Sequence, residues 1–231
     1  MKTIGMLGGM SWESTAVYYR LINEGIKSRL GELHSAKICL NSVDFDEIEK
    51  LQRVGDWDAQ AEILSEAARS VEAAGADFLI ICTNTLHKVV PQIEQAITIP
   101  ILHIADATAL QLQADGIKII GLLGTRFTME QDFYKQRISE KFGIKVIVPA
   151  SDDRQIVHAI IYDELCLGKI NDGSRVKYVQ IIDRLRQAGA EAIVLGCTEI
   201  ALLLQQDHTS ASLYDTTRLH ALQAVNFALA D

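Results

Sequence analysis

Short apolar runs alternate along the chain with longer stretches in which apolar residues recur at helical spacing. Residues 77–82 and 117–123 are too short for a helix and consist largely of Ile and Leu, which is typical of strands buried on both faces. Residues 56–73, in contrast, show the spacing of an amphipathic helix. Strands that alternate with helices in this way predict parallel sheets covered by helices.

One segment of this pattern occurs twice. Residues 74–85 read Ala-Gly-Ala-Asp-Phe-Leu-Ile-Ile-Cys-Thr-Asn-Thr, and residues 188–199 read Ala-Gly-Ala-Glu-Ala-Ile-Val-Leu-Gly-Cys-Thr-Glu. Residues 2–9 match residues 118–125 at nearly the same separation, which is close to half of the chain. Two matched stretches with nearly one separation indicate a duplicated structural unit.

The repeat predicts an α/β protein of two similar lobes, residues 1–115 and 116–231, related by pseudo-two-fold symmetry. Each lobe is expected to contain a mainly four-stranded parallel sheet flanked by helices, with the C-terminal helix free to pack on the N-terminal lobe. The pattern predicts strands at residues 2–7, 36–43, 77–82, 99–104, 117–123, 143–148, 191–196 and 211–214.

The repeat also aligns Thr83 with Cys197, each at the turn after a strand. Helices that follow such turns gather free backbone N–H groups at their first residues, which favours anionic ligands. Two similar lobes can present these turns to one cleft, which we expect to be the active site. The alternative is that both are ordinary residues at strand ends.

Composition restricts the classes of function. The 231 residues carry a net charge of −8, whereas a nucleic-acid-binding protein needs a basic face. The four cysteines and six histidines show neither metal-ligand spacing nor a disulfide framework. No apolar stretch is long enough to span a membrane and no signal peptide is evident, so we expect a cytoplasmic protein without nucleic-acid or membrane partners.

Cys197 is the strongest candidate for catalysis. It follows Gly196 at a predicted strand end, Gly196 permits a close backbone approach, and Thr198 and Glu199 would occupy the first turn of the next helix. A helix N-terminus lowers the pKa of a thiol from about 8.5, so the sequence predicts a thiolate at neutral pH that acts as base or nucleophile. The alternative is a buried, inert cysteine.

Thr83 is a weaker base because a hydroxyl needs a neighbour to take its proton. Strand alternation turns the adjacent Cys82 to the opposite side, so Cys82 is expected in the core. Asn84 and Thr85 carry suitable groups for binding a carboxylate. Asn84 is equally well explained as a turn residue or helix cap.

Five motifs occur in order along the chain. They are Gly8-Gly9-Met10-Ser11-Trp12-Glu13-Ser14-Thr15, Thr83-Asn84-Thr85-Leu86-His87, Gly124-Thr125-x-x-Thr128-Met129, Gly196-Cys197-Thr198-Glu199 and Asp215-Thr216-Thr217-x-x-His220. Together they resemble the motifs of the aspartate/glutamate racemase family. The resemblance covers the whole chain and implies a cofactor-independent amino-acid racemase with two α/β lobes.

In that family two cysteines flank the α-carbon of the substrate, one removing its proton and the other returning a proton to the opposite face. The resemblance places Cys197 at one position, but Thr83 stands at the other. The thiolate accepts a proton readily, whereas the hydroxyl mainly donates one. The unequal pair predicts that the L-enantiomer of aspartate or glutamate is the better substrate, with Cys197 as its base.

The resemblance also implies a set of substrate contacts. Gln52 would hold the distal carboxylate by neutral hydrogen bonds, weaker than those of an Arg fork. Lys169 would supply a charge, or simply favours a helix C-terminus. Glu199 is either a partner behind the site or a favourable first-turn acid. The complete predicted set is Met10, Gln52, Asn84, Thr85, Thr125, Thr128, Lys169, Thr198 and Glu199.

Two other functions remain open. Relatives that decarboxylate substituted malonates or isomerise maleate work with one essential cysteine, and the loss of a cysteine at position 83 makes such chemistry a competing interpretation. A dicarboxylate-binding sensor that has lost catalysis is the second. The expected partner is a small acidic amino acid, and a homodimer is an open expectation because related enzymes are often dimers.

Overall fold

The structure is a computed structural model that describes residues 1–230. The chain folds into two compact units, one formed by Met1–Ile104 with the residues from His220 onward, the other by Ala105–Leu219. The sequence repeat predicted the boundary between the two lobes at residue 115. The helix that begins at Ile104 belongs largely to the second unit, where Asp106 forms ion pairs with Arg137 and Lys141.

The first unit contains a parallel sheet with the strand order β2-β1-β3. Its strands are β1 (Ile4–Gly8), β2 (Ile38–Ser42) and β3 (Phe78–Ile81). Its helices are α1 (Trp12–Leu30), α2 (Phe45–Val54), α3 (Trp57–Ala73) and α4 (Val90–Ala96), and a 3-10 helix spans Thr85–Val89. Ser11, Asp44 and Asp56 cap α1, α2 and α3 with their side-chain oxygens, which satisfies backbone donors that a helix start leaves open.

The fourth strand predicted at residues 99–104 is reduced to a single parallel bridge between Leu79 and Ile101. The Leu79 N–H donates to the Pro100 carbonyl, and the Leu102 N–H donates to the Leu79 carbonyl. Pro100 has no N–H to extend the ladder, and the next helix already begins at Ile104. The sheet of this unit therefore has three strands rather than four.

The second unit contains a four-stranded parallel sheet with the order β5-β4-β6-β7. Its strands are β4 (Ile119–Gly124), β5 (Lys145–Ile147), β6 (Ala192–Gly196) and β7 (Ser212–Asp215). Its helices are α5 (Ile104–Ala114), α6 (Arg126–Glu130), α7 (Asp132–Phe142), α8 (Ser151–Asp163), α9 (Asp172–Gln187) and α10 (Ile200–Leu203), and helix α11 (Thr216–Leu229) follows. The first three strands of both sheets share one order, so the prediction of two α/β halves with parallel sheets is confirmed.

Side chains alternate across the first sheet and fill two cores. Leu7, Leu79 and Ile81 pack with α3 on one face, while residues one position away pack with α1 and α11 on the other, as a period of two requires. The second core contains Ile4, Met6, Tyr18, Ile22, Ile26, Phe78, Ile80, Cys82, Ala221, Ala224, Val225 and Ala228. The core position predicted for Cys82 is confirmed, and burial raises the pKa of its thiol.

None of the helices within residues 1–230 is both long enough and apolar enough to cross a membrane.

His220 joins α11 to α1 and to the residues after the single bridge. Its Nε2 lies 2.7 Å from the Leu102 carbonyl oxygen and its Nδ1 lies 2.9 Å from the Tyr18 hydroxyl. A carbonyl only accepts, so Nε2 carries the proton and Nδ1 accepts from Tyr18. Burial of this neutral ring lowers the pKa of His220 to about 4.

Acid should therefore destabilise the protein through His220. The unfolded chain binds a proton near pH 6.5 and the folded chain only near pH 4, so stability is full above pH 6.5 and falls as the pH drops to about 4. The gap corresponds to roughly 3 kcal/mol in the free energy of unfolding. Urea titrations between pH 4 and 7 should show a shallower pH dependence for His220→Gln than for the wild type. His34→Gln, at an exposed position, is the control, and equal slopes for all three proteins would contradict the expectation.

Candidate active site

The turn after β1 brings Met10 into the first unit's core and fixes its backbone. The Gly9 N–H donates to the Thr15 hydroxyl at 2.8 Å, and Met10 is buried. Gly9 has φ +91°, and a side chain there would collide with the Val43 carbonyl oxygen. Glycine is therefore required at this position both by conformation and by space.

Thr83 lies in a tight turn beyond β3, partly buried. Its N–H donates to the Ile81 carbonyl at 2.9 Å, and its own carbonyl lies 2.7 Å from Nδ1 of His87. The α-helix expected directly after Thr83 is instead a 3-10 helix, Thr85–Val89, which continues into α4. The Thr83 backbone is thus held by hydrogen bonds on both its N–H and its carbonyl.

Three of the predicted carboxylate contacts are buried polar residues of the same unit. Asn84 and Thr85 follow Thr83 directly, and Gln52 lies in the last turn of α2. Asn84 occupies the cap position of the 3-10 helix, but its side chain makes no capping hydrogen bond. A helix cap therefore does not account for Asn84.

In the second unit, Thr125 and Thr128 form a hydroxyl pair at the end of β4. Thr125 caps α6, its hydroxyl accepts from the Thr128 N–H at 3.3 Å, and the two hydroxyl oxygens lie 3.3 Å apart. Both residues are buried. A Cβ on Gly196 would lie 3.4 Å from Cγ2 of Thr128, so the pair is adjacent to the turn that carries Cys197.

The Cys197 turn combines a thiol, a hydroxyl and a carboxylate. The thiol donates to Oε2 of Glu199 at 3.0 Å, and the Thr198 hydroxyl donates to the same oxygen at 2.6 Å. Cys197 is 8% exposed. A Cβ on Gly196 would lie 2.9 Å from the Leu123 carbonyl oxygen, which confirms that glycine permits a close backbone approach here.

The prediction that a helix N-terminus makes Cys197 a thiolate is wrong. Helix α10 begins only at Ile200 and contains four residues, so its dipole is short and starts beyond Glu199. Burial raises the pKa of the Cys197 thiol well above its usual value, and the neighbouring Glu199 carboxylate raises it further. The thiol therefore keeps its proton at neutral pH and directs it at Glu199.

Lys169 differs from the other predicted contacts because it is exposed. It follows Gly168, which closes the short 3-10 helix Leu165–Leu167 in the left-handed conformation. Its N–H donates to the Glu164 carbonyl at 3.0 Å. This position suits a lysine at a helix C-terminus, and a role of Lys169 in substrate binding stays a prediction.

His87 is the residue near Thr83 that sequence reasoning left out of the site. The motif contained it, but its role was not assigned. Its spacing of four residues from Thr83 is the one signal that was available, because side chains four apart on a helix meet the same turn.

A family model described as Asp/Glu/hydantoin racemase matches residues 7–224. The crystal structure of a proposed Asp/Glu racemase from Yersinia pestis is 54% identical, covers 100% of both chains and superposes with a TM-score of 0.94. An aspartate racemase homologue from Pyrococcus horikoshii OT3 is 31% identical, with 100% coverage of both chains and a TM-score of 0.85. The broad-specificity amino-acid racemase RacX of Bacillus subtilis is 23% identical over 240 residues and covers 98% of both chains.

Proposed function

Because the chain belongs to the Asp/Glu/hydantoin racemase family, we propose that it racemises aspartate and glutamate without a cofactor, with Cys197 and Thr83 as the acid–base pair. The observation that carries the proposal is the hydrogen bond from the Cys197 thiol to Glu199. It supplies a route by which a thiol of raised pKa becomes a base. Relatives are named as an aspartate racemase homologue, a glutamate racemase and a broad-specificity amino-acid racemase. Because these names differ in the substrate, the assignment of aspartate and glutamate to this chain is part of the proposal.

The proposed reaction of the L-enantiomer begins with the proton on Cys197. That proton passes to Oε2 of Glu199 along the 3.0 Å hydrogen bond, which leaves a thiolate. The thiolate removes the proton from Cα, and the electron pair is delocalised into the substrate carboxylate. The Thr83 hydroxyl then donates its proton to the opposite face of Cα to give the D-enantiomer. Solvent reprotonates the threonine alkoxide, and Glu199 releases the proton that it took from Cys197 to solvent, which restores the starting state.

Polar residues of both units are proposed to bind the substrate carboxylates. In the first unit Asn84, Thr85 and Gln52 are buried amide and hydroxyl donors. A carboxylate is a strong acceptor for amide and hydroxyl donors. Met10 would pack against the substrate, and in the second unit Thr125, Thr128 and Thr198 are the proposed contacts, with the Thr198 hydroxyl turning from Glu199 to the substrate.

The L-preference takes a particular kinetic form. L- and D-enantiomers have equal free energy in water, so a reversible racemase must have the same kcat/KM in both directions. The preference therefore has to appear in the exchange of the α-proton with solvent. Cys197 can remove and return the proton of the L-substrate without inversion, whereas the same step on the D-substrate requires the Thr83 alkoxide as base.

The test is to incubate L- and D-aspartate and L- and D-glutamate with the protein in deuterated buffer. NMR follows loss of the Cα–H signal, and chiral chromatography follows inversion. We expect the L-enantiomers to exchange at least about 10-fold faster than they invert, and the D-enantiomers to exchange no faster than they invert. Equal exchange of both enantiomers would reject the unequal pair, and no exchange with any substrate would reject the racemase.

The raised pKa of the Cys197 thiol favours a second candidate, the decarboxylation of a substituted malonate. After loss of CO2 the carbanion needs one proton donor, and a protonated thiol is suited to that step. Release of CO2 from phenyl- or methyl-substituted malonates, without α-proton exchange of aspartate or glutamate, would favour this reaction. Tight binding of a dicarboxylate with neither reaction would instead indicate a sensor.

A further inference from the structure

The side chain of His87 connects Thr83 to the start of α5. Nδ1 of His87 lies 2.7 Å from the Thr83 carbonyl oxygen. Nε2 accepts a hydrogen bond from the Ile104 N–H at 3.2 Å. Both ring nitrogens therefore have partners on the backbone, and the ring is 1% exposed.

These two bonds settle the protonation of the ring. A nitrogen that accepts from a backbone N–H carries no proton, so the imidazole is neutral and its proton is on Nδ1. Nδ1 then donates to the Thr83 carbonyl. The ring therefore has a donor on Nδ1 and an acceptor on Nε2. Flipping it about the Cβ–Cγ bond would move Nε2 away from Ile104 and break both hydrogen bonds.

Other aromatic rings enclose His87 and limit its movement. The centroid of His103 lies 4.5 Å from that of His87, and the centroid of His220 lies 5.8 Å away. His103 and His220 are both buried, and His220 is itself fixed between Tyr18 and Leu102. The group that holds the Thr83 carbonyl is thus contacted by two segments that are distant in the chain, His103 with Ile104 and His220.

We propose that His87 is a positioning residue for Thr83, which rests on the proposed function of Thr83 as the second acid of the racemase. The Thr83 N–H is held by Ile81 and its carbonyl by His87, so both peptide groups that flank its Cα are fixed. Fixing them fixes the direction of the Cα–Cβ bond, from which the hydroxyl projects. A hydroxyl that must donate to one face of a carbanion depends strongly on that direction, because misplacement by about 1 Å costs on the order of 100-fold in rate.

The competing interpretation is that His87 only caps α5. The Ile104 N–H stands at the first residue of that helix, where backbone donors lack partners within the helix. In that case the bond to Ile104 would matter and the bond to Thr83 would be incidental. The two bonds leave from different ring nitrogens, so two substitutions can separate them.

His87→Asn and His87→Gln form a matched pair. The Asn amide nitrogen lies about where Nδ1 of histidine lies and retains the donor to Thr83, whereas the longer Gln side chain places its amide oxygen near Nε2 and retains the acceptor for Ile104. Each variant keeps one bond and loses the other.

The experiment measures both inversion and α-proton exchange of L-aspartate for the two variants and the wild type. We expect His87→Gln to lose inversion by about 10- to 100-fold while its exchange, which depends on Cys197, stays within about 3-fold of the wild type. His87→Asn should retain inversion better than His87→Gln. Equal inversion in the two variants, the reverse order, or a parallel loss of exchange and inversion would overturn the positioning role.

The same assay separates this inference from the proposed function. A wild-type protein that exchanges and inverts aspartate supports the racemase whatever the His87 variants do. A wild-type protein that does neither removes both proposals together. Thermal unfolding of each variant, compared with the wild type, identifies a loss of inversion that comes from a loss of folded protein, and such a result counts against a positioning role.

Discussion

Replacement of Cys197 by serine should abolish both α-proton exchange and inversion, with a loss of at least about 1000-fold in each. A serine hydroxyl is a far weaker acid than a thiol, so the transfer of its proton to Glu199 leaves an alkoxide rather than a thiolate and becomes much less favourable. Serine fits the space of the thiol and retains the donor to Oε2 of Glu199, so the hydrogen bond recorded at 3.0 Å has a counterpart in the variant.

The measurement is the deuterium-exchange assay on L-aspartate with matched protein concentrations. Cys39→Ser is the control, because Cys39 is a partly buried cysteine on β2, in the first unit. The control should keep exchange and inversion within about 3-fold of the wild type, as is usual for a small change away from the reacting groups. Residual exchange above one-tenth of the wild-type rate in Cys197→Ser would show that another group removes the proton.

Replacement of Thr83 by cysteine should have the second-largest effect, and in the direction of a gain. A thiol is a much stronger acid than a hydroxyl, so it can both donate and accept a proton near neutral pH. The proton transfer between residue 83 and Cα, which we propose as the limiting step, should therefore become faster. Inversion of L-aspartate should rise by about 10- to 100-fold, and exchange of D-aspartate should become faster than its inversion.

Thr83→Val is the matched control for this gain, because valine preserves the β-branched shape of threonine and removes only the hydroxyl. It should lose inversion and keep the exchange of L-aspartate. The partly buried setting of Thr83 limits the cost in stability, which thermal unfolding checks. Inversion that survives in Thr83→Val would assign the second proton to a group other than residue 83.

The parts of the fold that follow from local pattern were predictable. The repeated apolar runs end within one residue of the ends of β3 and β6, and Cys82 lies in the core. These features depend on side-chain period and on strand length, both of which the sequence shows directly. The prediction of a fourth strand in the first sheet was wrong because a proline and the early start of the next helix limit the pairing to one bridge.

The electrostatics of the site could not be predicted in the same way. The pKa of a thiol depends on how deeply it is buried and on the charge beside it. Neither the four-residue length of α10 nor the contact between Cys197 and Glu199 is evident from residue types alone. The role of His87 was hidden for a similar reason, because its second partner, Ile104, is 17 residues away in the chain.

The return of helix α11 to the first unit has a consequence for biosynthesis. Residues such as Ala224 and Val225 complete a core that begins with Ile4 and Met6, and the Lys2 N–H donates to the Ala228 carbonyl. As the nascent chain leaves the ribosome, all of Ala105–Leu219 emerges before the part of that helix that belongs to the first unit, which begins at His220. We therefore expect the half of the molecule that is translated first to complete its core last, with the apolar side chains that α11 covers exposed until then.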